Sequence, residues 1–263
     1  MKEVKYVNIF TRFVKSLYSP KEVAKYRFLG IGKTIFYVFI IMFISILPGI
    51  YHFSKMAATA LEEGKQVFLE DLPSFTISNG DLISKQSSPI IIPKNNVTIV
   101  FDPTGDLSTN DVQEKGNSVG LLKHEFVIVA NGQVQTFPYT ALENMKVTNK
   151  DIDSFINSLK GVMWIAIPII FLFYYLFVSA LGFIKISIFA GIGALFAQTL
   201  GRKLSYRQGW RLSAHSITLS TIFFMLMDLL NTGVPGGMFI DWFVSLLFLY
   251  LTIREIPKPK IDA

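Results

Sequence analysis

Cysteine is absent from the 263-residue chain. This excludes a disulfide framework, a thiolate metal site and a thiol nucleophile. Histidine is nearly absent too. The three present, His52, His124 and His215, lie far apart in sequence, which argues against a zinc-type centre. His124-Glu125 brings two titratable groups together, but no third member for acid–base work is in sight. No Gly-rich phosphate loop occurs: "GKT" at 32–34 lacks the upstream glycines and runs into an apolar segment. The first 30 residues contain no apolar core ending in small residues, so no cleavable signal peptide is expected. Between residues 54 and 160 there is almost no apolar run of membrane length.

Elsewhere such runs dominate. The chain is 51% hydrophobic, too apolar for an ordinary soluble domain. Runs near 20 residues are long enough to cross a bilayer core of about 30 Å. Charge is unevenly placed: net +6 over residues 1–33, −4 over 54–160 and +4 over 161–263. The basic clusters flank the apolar runs, as on the cytoplasmic side of a membrane protein, rather than forming a soluble basic face for nucleic acid. The sequence therefore predicts a polytopic α-helical membrane protein with an inserted, mainly β (α+β) extracytoplasmic domain. Its expected surroundings are a lipid bilayer and a membrane-protein partner or further copies of itself. No cofactor and no nucleic acid are expected.

Residues 1–31 form a cytoplasmic amphipathic segment. Val4, Val7, Phe10, Phe13, Val14, Leu17 and Tyr18 recur at helical spacing, with Lys5, Arg12 and Lys15 largely off that stripe. The pattern fits a helix on the inner leaflet, or one packed on the protein's own spans. A first span follows at 32–53, entered from the inside because Lys21, Lys25, Arg27 and Lys33 precede it. A helix then continues outward over 54–65.

The domain at 54–160 shows strand-like segments "SFTIS", "PIIIP", "NVTIVF", "HEFVIVA" and "VQTFPY". Asn79-Gly80, Asn95-Asn96, Thr104-Gly105 and Asn131-Gly132 punctuate them as turns. Within it, "TIVFDPTGDLST" outlines the aspartyl-phosphate loop of ion-pumping ATPases. Pro103 replaces the lysine that follows the pump aspartate, Asp106 replaces the second threonine, and the expected location lies away from ATP. The stretch reads instead as a structural turn of Asp102, Pro103 and Gly105 closing a core strand.

The C-terminal bundle, 161–253, is less clear-cut. Residues 161–200 fit two spans, one long helix, or a span plus a re-entrant piece. Next come a basic loop at 201–211, a span at 212–231, the turn "TGVPGG" and a last span at 238–253; a tail, 254–263, ends the chain. The positive-inside bias favours four crossings, with 182–200 as a cytoplasmic-side extension or re-entrant piece; five crossings is the alternative. Asp228, Asn231 and Asp241 are candidate intramembrane polar residues, and such carboxylates are functional candidates because burying them is expensive. Arg202, Lys203, Arg207 and Arg211 are candidate contacts for lipid headgroups. Gly193 to Ala197 reads as a close helix contact.

Taken in order, "SLYSPKEVAKYRFLGIGKTI", "SILPGIYHF", "FTISNGDL", "IVFDPTG" and "GRKLSYRQGWRLSAHSIT" resemble a bacterial integral membrane family, the domain-of-unknown-function family 1189. Some of its members carry the label maltodextrin utilisation protein. The resemblance implies a polytopic plasma-membrane protein with no established reaction and no catalytic residues to carry over. Residues 190–225 are also similar to Yip-type membrane proteins, associated with membrane trafficking, although the inserted domain departs from the usual Yip pattern. The function expected is a non-enzymatic accessory or regulatory protein whose extracytoplasmic domain binds a partner or envelope component. The alternative is a transporter or transporter subunit using Asp228 and Asp241.

Overall fold

The computed structural model describes residues 8–94, 97–142 and 145–259. Val4, Lys5 and Val7 of the amphipathic pattern, the Asn95-Asn96 turn and the last four residues of the tail lie outside them. The chain divides into two compact units. One comprises the chain up to Ser54 together with the chain from Ile167 on; the other is Lys55–Ala166. Among the described residues, four helical stretches are long and apolar enough to cross a membrane: Ile31–Asp71, Asn149–Thr199, Tyr206–Leu229 and Gly237–Arg254.

The helical unit begins with α1 (Ile9–Tyr18), capped by Asn8, whose Oδ1 accepts from the Phe10 N–H. A short α2 (Pro20–Val23) starts on Pro20, whose missing N–H costs nothing in a first turn. A 3-10 turn (Ala24–Phe28) leads into α3 (Ile31–Gln66). The faces of α1 are a surprise: it buries Arg12 and Ser16 against the unit and leaves Phe10 and Tyr18 exposed. The helix packs on the protein's own α-helices with a polar edge inward, and part of its apolar stripe faces away from the unit.

α5 (Asn149–Thr199) is a single uninterrupted helix. No re-entrant turn exists at 182–200. That part of α5 is core: Ile186, Phe189, Ala190 and Ala197 are buried. Ile186, Phe189 and Ala197 pack in one cluster with Val38, Met42, Leu212, Leu249 and Ile253. By contrast Trp164, Ile165, Phe173 and Phe177 are largely exposed. Gly182 lets α3 approach closely, since a Cβ there would sit 2.5 Å from Met42 Cε. Gly193 packs beneath Leu249 and Ile253 of α8 (Gly237–Arg254).

The basic loop expected at 201–211 is shorter than its composition suggests, because α6 (Tyr206–Ser216) already begins within it. Ser205 accepts from the Gln208 N–H while the Gln208 side chain accepts from the Ser205 N–H, a reciprocal cap that starts the helix early. α7 (Thr218–Leu229) follows after Ile217.

The second unit holds two sheets. β1 (Phe75–Ser78), β2 (Asp81–Ser84) and β8 (Val147–Thr148) form one, in the order β2-β1-β8. The other runs β3-β4-β5-β6-β7, with β3 (Ile90–Lys94), β4 (Val97–Phe101), β5 (Ser118–Leu121), β6 (Glu125–Ala130) and β7 (Gln133–Pro138). Asn79-Gly80 and Asn131-Gly132 both take positive φ (53° and 83°, 51° and 80°), as tight two-residue hairpins require. The β4–β5 pair is parallel and joined through α4 (Thr109–Gln113). Both faces of β4 are covered. Ile99 and Phe101 pack with Phe75, Ile77, Leu82 and Leu121; Val100 packs oppositely with Val112, Val127 and Val129. β5 escapes notice in the sequence because Gly120 interrupts its apolar character. The glycine is needed there: a Cβ would lie 2.9 Å from a Val112 methyl.

Candidate functional site

In the helical unit, three ionisable side chains line one open groove of about 730 Å³: Lys185 of α5, Asp228 of α7 and Asp241 of α8. Lys185 Nζ lies 2.7 Å from Asp241 Oδ1 and 2.6 Å from Oδ2, with both side chains mostly buried (17% and 25% exposed). Asp241 is therefore already neutralised from within the chain. Asp228 is not. Its side chain is exposed and makes no hydrogen bond or ion pair among the described residues. Its backbone carbonyl meets His52 Nε2 at 2.9 Å. The carboxylate lies over Gly49 of α3, with Oδ2 3.9 Å from where a Cβ would stand. The rest of the groove is mainly apolar, with Met42, Met225, Met227 and Met238 among its walls.

Asn231 is separated from this chemistry by its backbone. It takes φ 52° just beyond α7. Its N–H bonds the Asp228 carbonyl and the Thr232 N–H bonds the Met227 carbonyl. This is a left-handed helix stop, in which asparagine is the common substitute for glycine. The residue ends α7.

The four basic residues of 201–211 divide into two pairs. Arg202 Nη2 donates to the Arg254 carbonyl (3.0 Å), at the end of α8, and Arg211 Nη1 donates to the Arg27 carbonyl (2.8 Å). Each is half-buried, whereas Lys203 and Arg207 are exposed.

A buried polar cluster, unforeseen from the sequence, joins α1, α3, α6 and α7. His215 is fully buried, its Nδ1 3.1 Å from Ser16 Oγ. Its ring sits against Tyr26 and Tyr37, with centroids 4.8 and 4.1 Å away. Tyr37 Oη and Thr218 Oγ1 share a hydrogen bond at 2.6 Å. Arg12 is 7% exposed, and its Nε and Nη1 have no hydrogen-bond partner among the described residues. Burial lowers its pKa from the ordinary value. Burial, and then Glu22, push the Tyr26 phenol up to about 12.

In the strand unit, Asp102 stands at the carboxyl end of β4 and is fully buried. Oδ1 accepts from the Thr104 N–H (2.9 Å), the Thr104 hydroxyl (2.5 Å) and the Gly105 N–H (3.2 Å), and Oδ2 accepts from the Leu107 N–H (2.7 Å). Burial opposes its charge, but the Thr104 hydroxyl and these backbone donors outweigh that, and the pKa falls below the ordinary 3.8. With both oxygens holding the loop, Asp102 is a backbone organiser. Pro103 sets the turn, and Gly105 occupies φ 87°. Beside it lies a smaller open pocket of about 370 Å³, lined by Thr104, Ser108, Thr109, Lys123, His124 and Glu125 among others. His124 Nδ1 is paired with Asp81 on the surface at 2.7 Å.

Residues 10–253 match a family model described as Protein of unknown function (DUF1189). The chain belongs to this family. No curated protein and no solved structure matches the chain significantly. Membership in DUF1189 spans both units, so helical bundle and strand domain are parts of one family architecture.

Proposed function

We propose that this protein is a non-enzymatic, multi-pass membrane accessory protein whose strand unit lies outside the cytoplasm and captures a protein partner. The observation carrying partner capture is the unguarded edge of the five-stranded sheet. Sheet edges are usually blunted by charge or proline because they template pairing with another chain. At one edge, β3 carries Pro93 and Lys94, with Lys94 paired to Asp71 at 2.7 Å. At the other, β7 reads Gln-Val-Gln-Thr-Phe-Pro, with no charge and proline only at its last position. Across the two-residue hairpin, Gln133, Gln135 and Phe137 face Ala130, Ile128 and Phe126. In such a ladder these are the hydrogen-bonded pairs, so the N–H groups of Val134 and Thr136 point away from β6. They suit addition of a partner's strand.

Membrane placement is supported by the exposed aromatic and aliphatic surface of α5, which has no place in water. Because α5 is one helix, ~75 Å long at 1.5 Å per residue, it crosses once. That favours four crossings, with both termini and the basic turn before α6 inside. The absence of native cysteine makes the test direct. A cysteine at Ser88 should react with an impermeant maleimide from outside intact cells and one at Ser205 should not; the reverse pattern sinks the topology. For capture, crosslinking in the native membrane should recover a specific protein with the wild type and lose it with Thr136→Pro. That change deletes one outward N–H while keeping the internal ladder. Recovery of the same protein from both would sink capture through β7.

A second reading, transport, is favoured by the groove. There Asp228, rather than Asp241, is the acid left free to engage a substrate. Uptake that persists in Asp228→Asn would remove this reading.

A further inference from the structure

We propose that the helical groove binds a small organic monocation with an apolar body, held by Asp228. The inference deepens the transport reading and is independent of capture through β7. Three ionisable groups line the groove, and two cancel: Lys185 is committed to both carboxylate oxygens of Asp241. The groove is left with one uncompensated negative charge, at Asp228, whose oxygens have no partner among the described residues. The walls are apolar and adaptable, built from Met42, Met225, Met227 and Met238 with Phe224. Thioether side chains repack around varied apolar shapes. At about 730 Å³ the space is within the range of sites for small organic ligands. An inorganic cation fits poorly, because it needs several converging oxygens. Here only one carboxylate is free, since Lys185 occupies both oxygens of Asp241. An ammonium group donates a charge-assisted hydrogen bond to the Asp228 carboxylate, while its apolar part replaces water against the methionines.

The test is equilibrium binding to the full chain in lipid nanodiscs, with 2-phenylethylammonium as the probe and 2-phenylethanol as its uncharged control. The ammonium should bind saturably at one site and the alcohol should not. Asp228→Asn should weaken binding by roughly ten-fold or more, and Asp228→Glu should retain most of it. Met238→Trp, which fills the groove from an exposed position without touching the acid, should also block binding and guards against a folding artefact in the first variant. Equal affinity in wild type and Asp228→Asn, equal binding of the alcohol, or no saturable binding overturns the proposal. Binding without uptake removes transport alone and leaves the site standing.

Discussion

Lys185 and Asp241, 56 residues apart in sequence, form a two-oxygen ion pair that ties α5 to α8. Each charge alone would be expensive in this mostly buried position, so the pair is worth more intact than either half. Lys185→Met or Asp241→Leu singly should cost about 2–3 kcal/mol, because each strands the opposite charge. The double replacement should recover most of that loss. Equilibrium unfolding in mixed micelles decides; strictly additive losses would show that the pair is not coupled.

Asp102 should give the strand unit an acid-sensitive loop. Its folded pKa lies below the ordinary 3.8, so the folded state binds its proton less readily than the unfolded chain. The stabilisation is fully present above the ordinary aspartate range and fades as pH falls through the depressed folded value. Amide protection factors over 104–107 in the full chain, corrected for intrinsic exchange, should fall at low pH. Asp102→Asn should raise exchange near neutrality, since an amide nitrogen cannot accept from the Leu107 N–H; a cost of about 1–3 kcal/mol is expected. Unchanged exchange in Asp102→Asn would contradict the assigned role.

Arg12 is a buried cation with two unpartnered nitrogens and no carboxylate bonded to it among the described residues. Replacing such a charge with an apolar side chain of similar length should not destabilise the fold. Arg12→Met should leave the unfolding midpoint unchanged or raise it. A loss of more than about 2 kcal/mol would mean that a counter-charge holds the guanidinium.

Gly120 allows α4 to lie against β5. Gly120→Ala would press a methyl into the stiff, branched Val112 and should cost about 1–3 kcal/mol. Val112→Ala in the same chain should restore part of the loss. If the single change is silent in unfolding, the contact is looser than the geometry implies.

How much was legible depends on the range over which each cause acts. Asn131-Gly132 announced its hairpin because positive φ at two successive positions is a local demand that few residues meet. β2 and β5 stayed hidden: four residues carry too little periodicity, and Gly120 is there for a neighbour distant in the chain. Asp228 and Asp241 looked equivalent as isolated acids. Nothing local says that Lys185 neutralises one and leaves the other free.

The sequence by itself determined the long apolar helices, the placement of the inserted strand unit between them, the sign of charge at each end and the tight turns. These follow from composition and from short-range backbone preference. Tertiary structure alone decided that α5 is continuous, that Arg12 faces inward, that Asn231 is a helix stop and that Asp228 is the unpaired acid. Those outcomes rest on which side chains meet across helices, and burial energies act between residues that sequence spacing does not bring together.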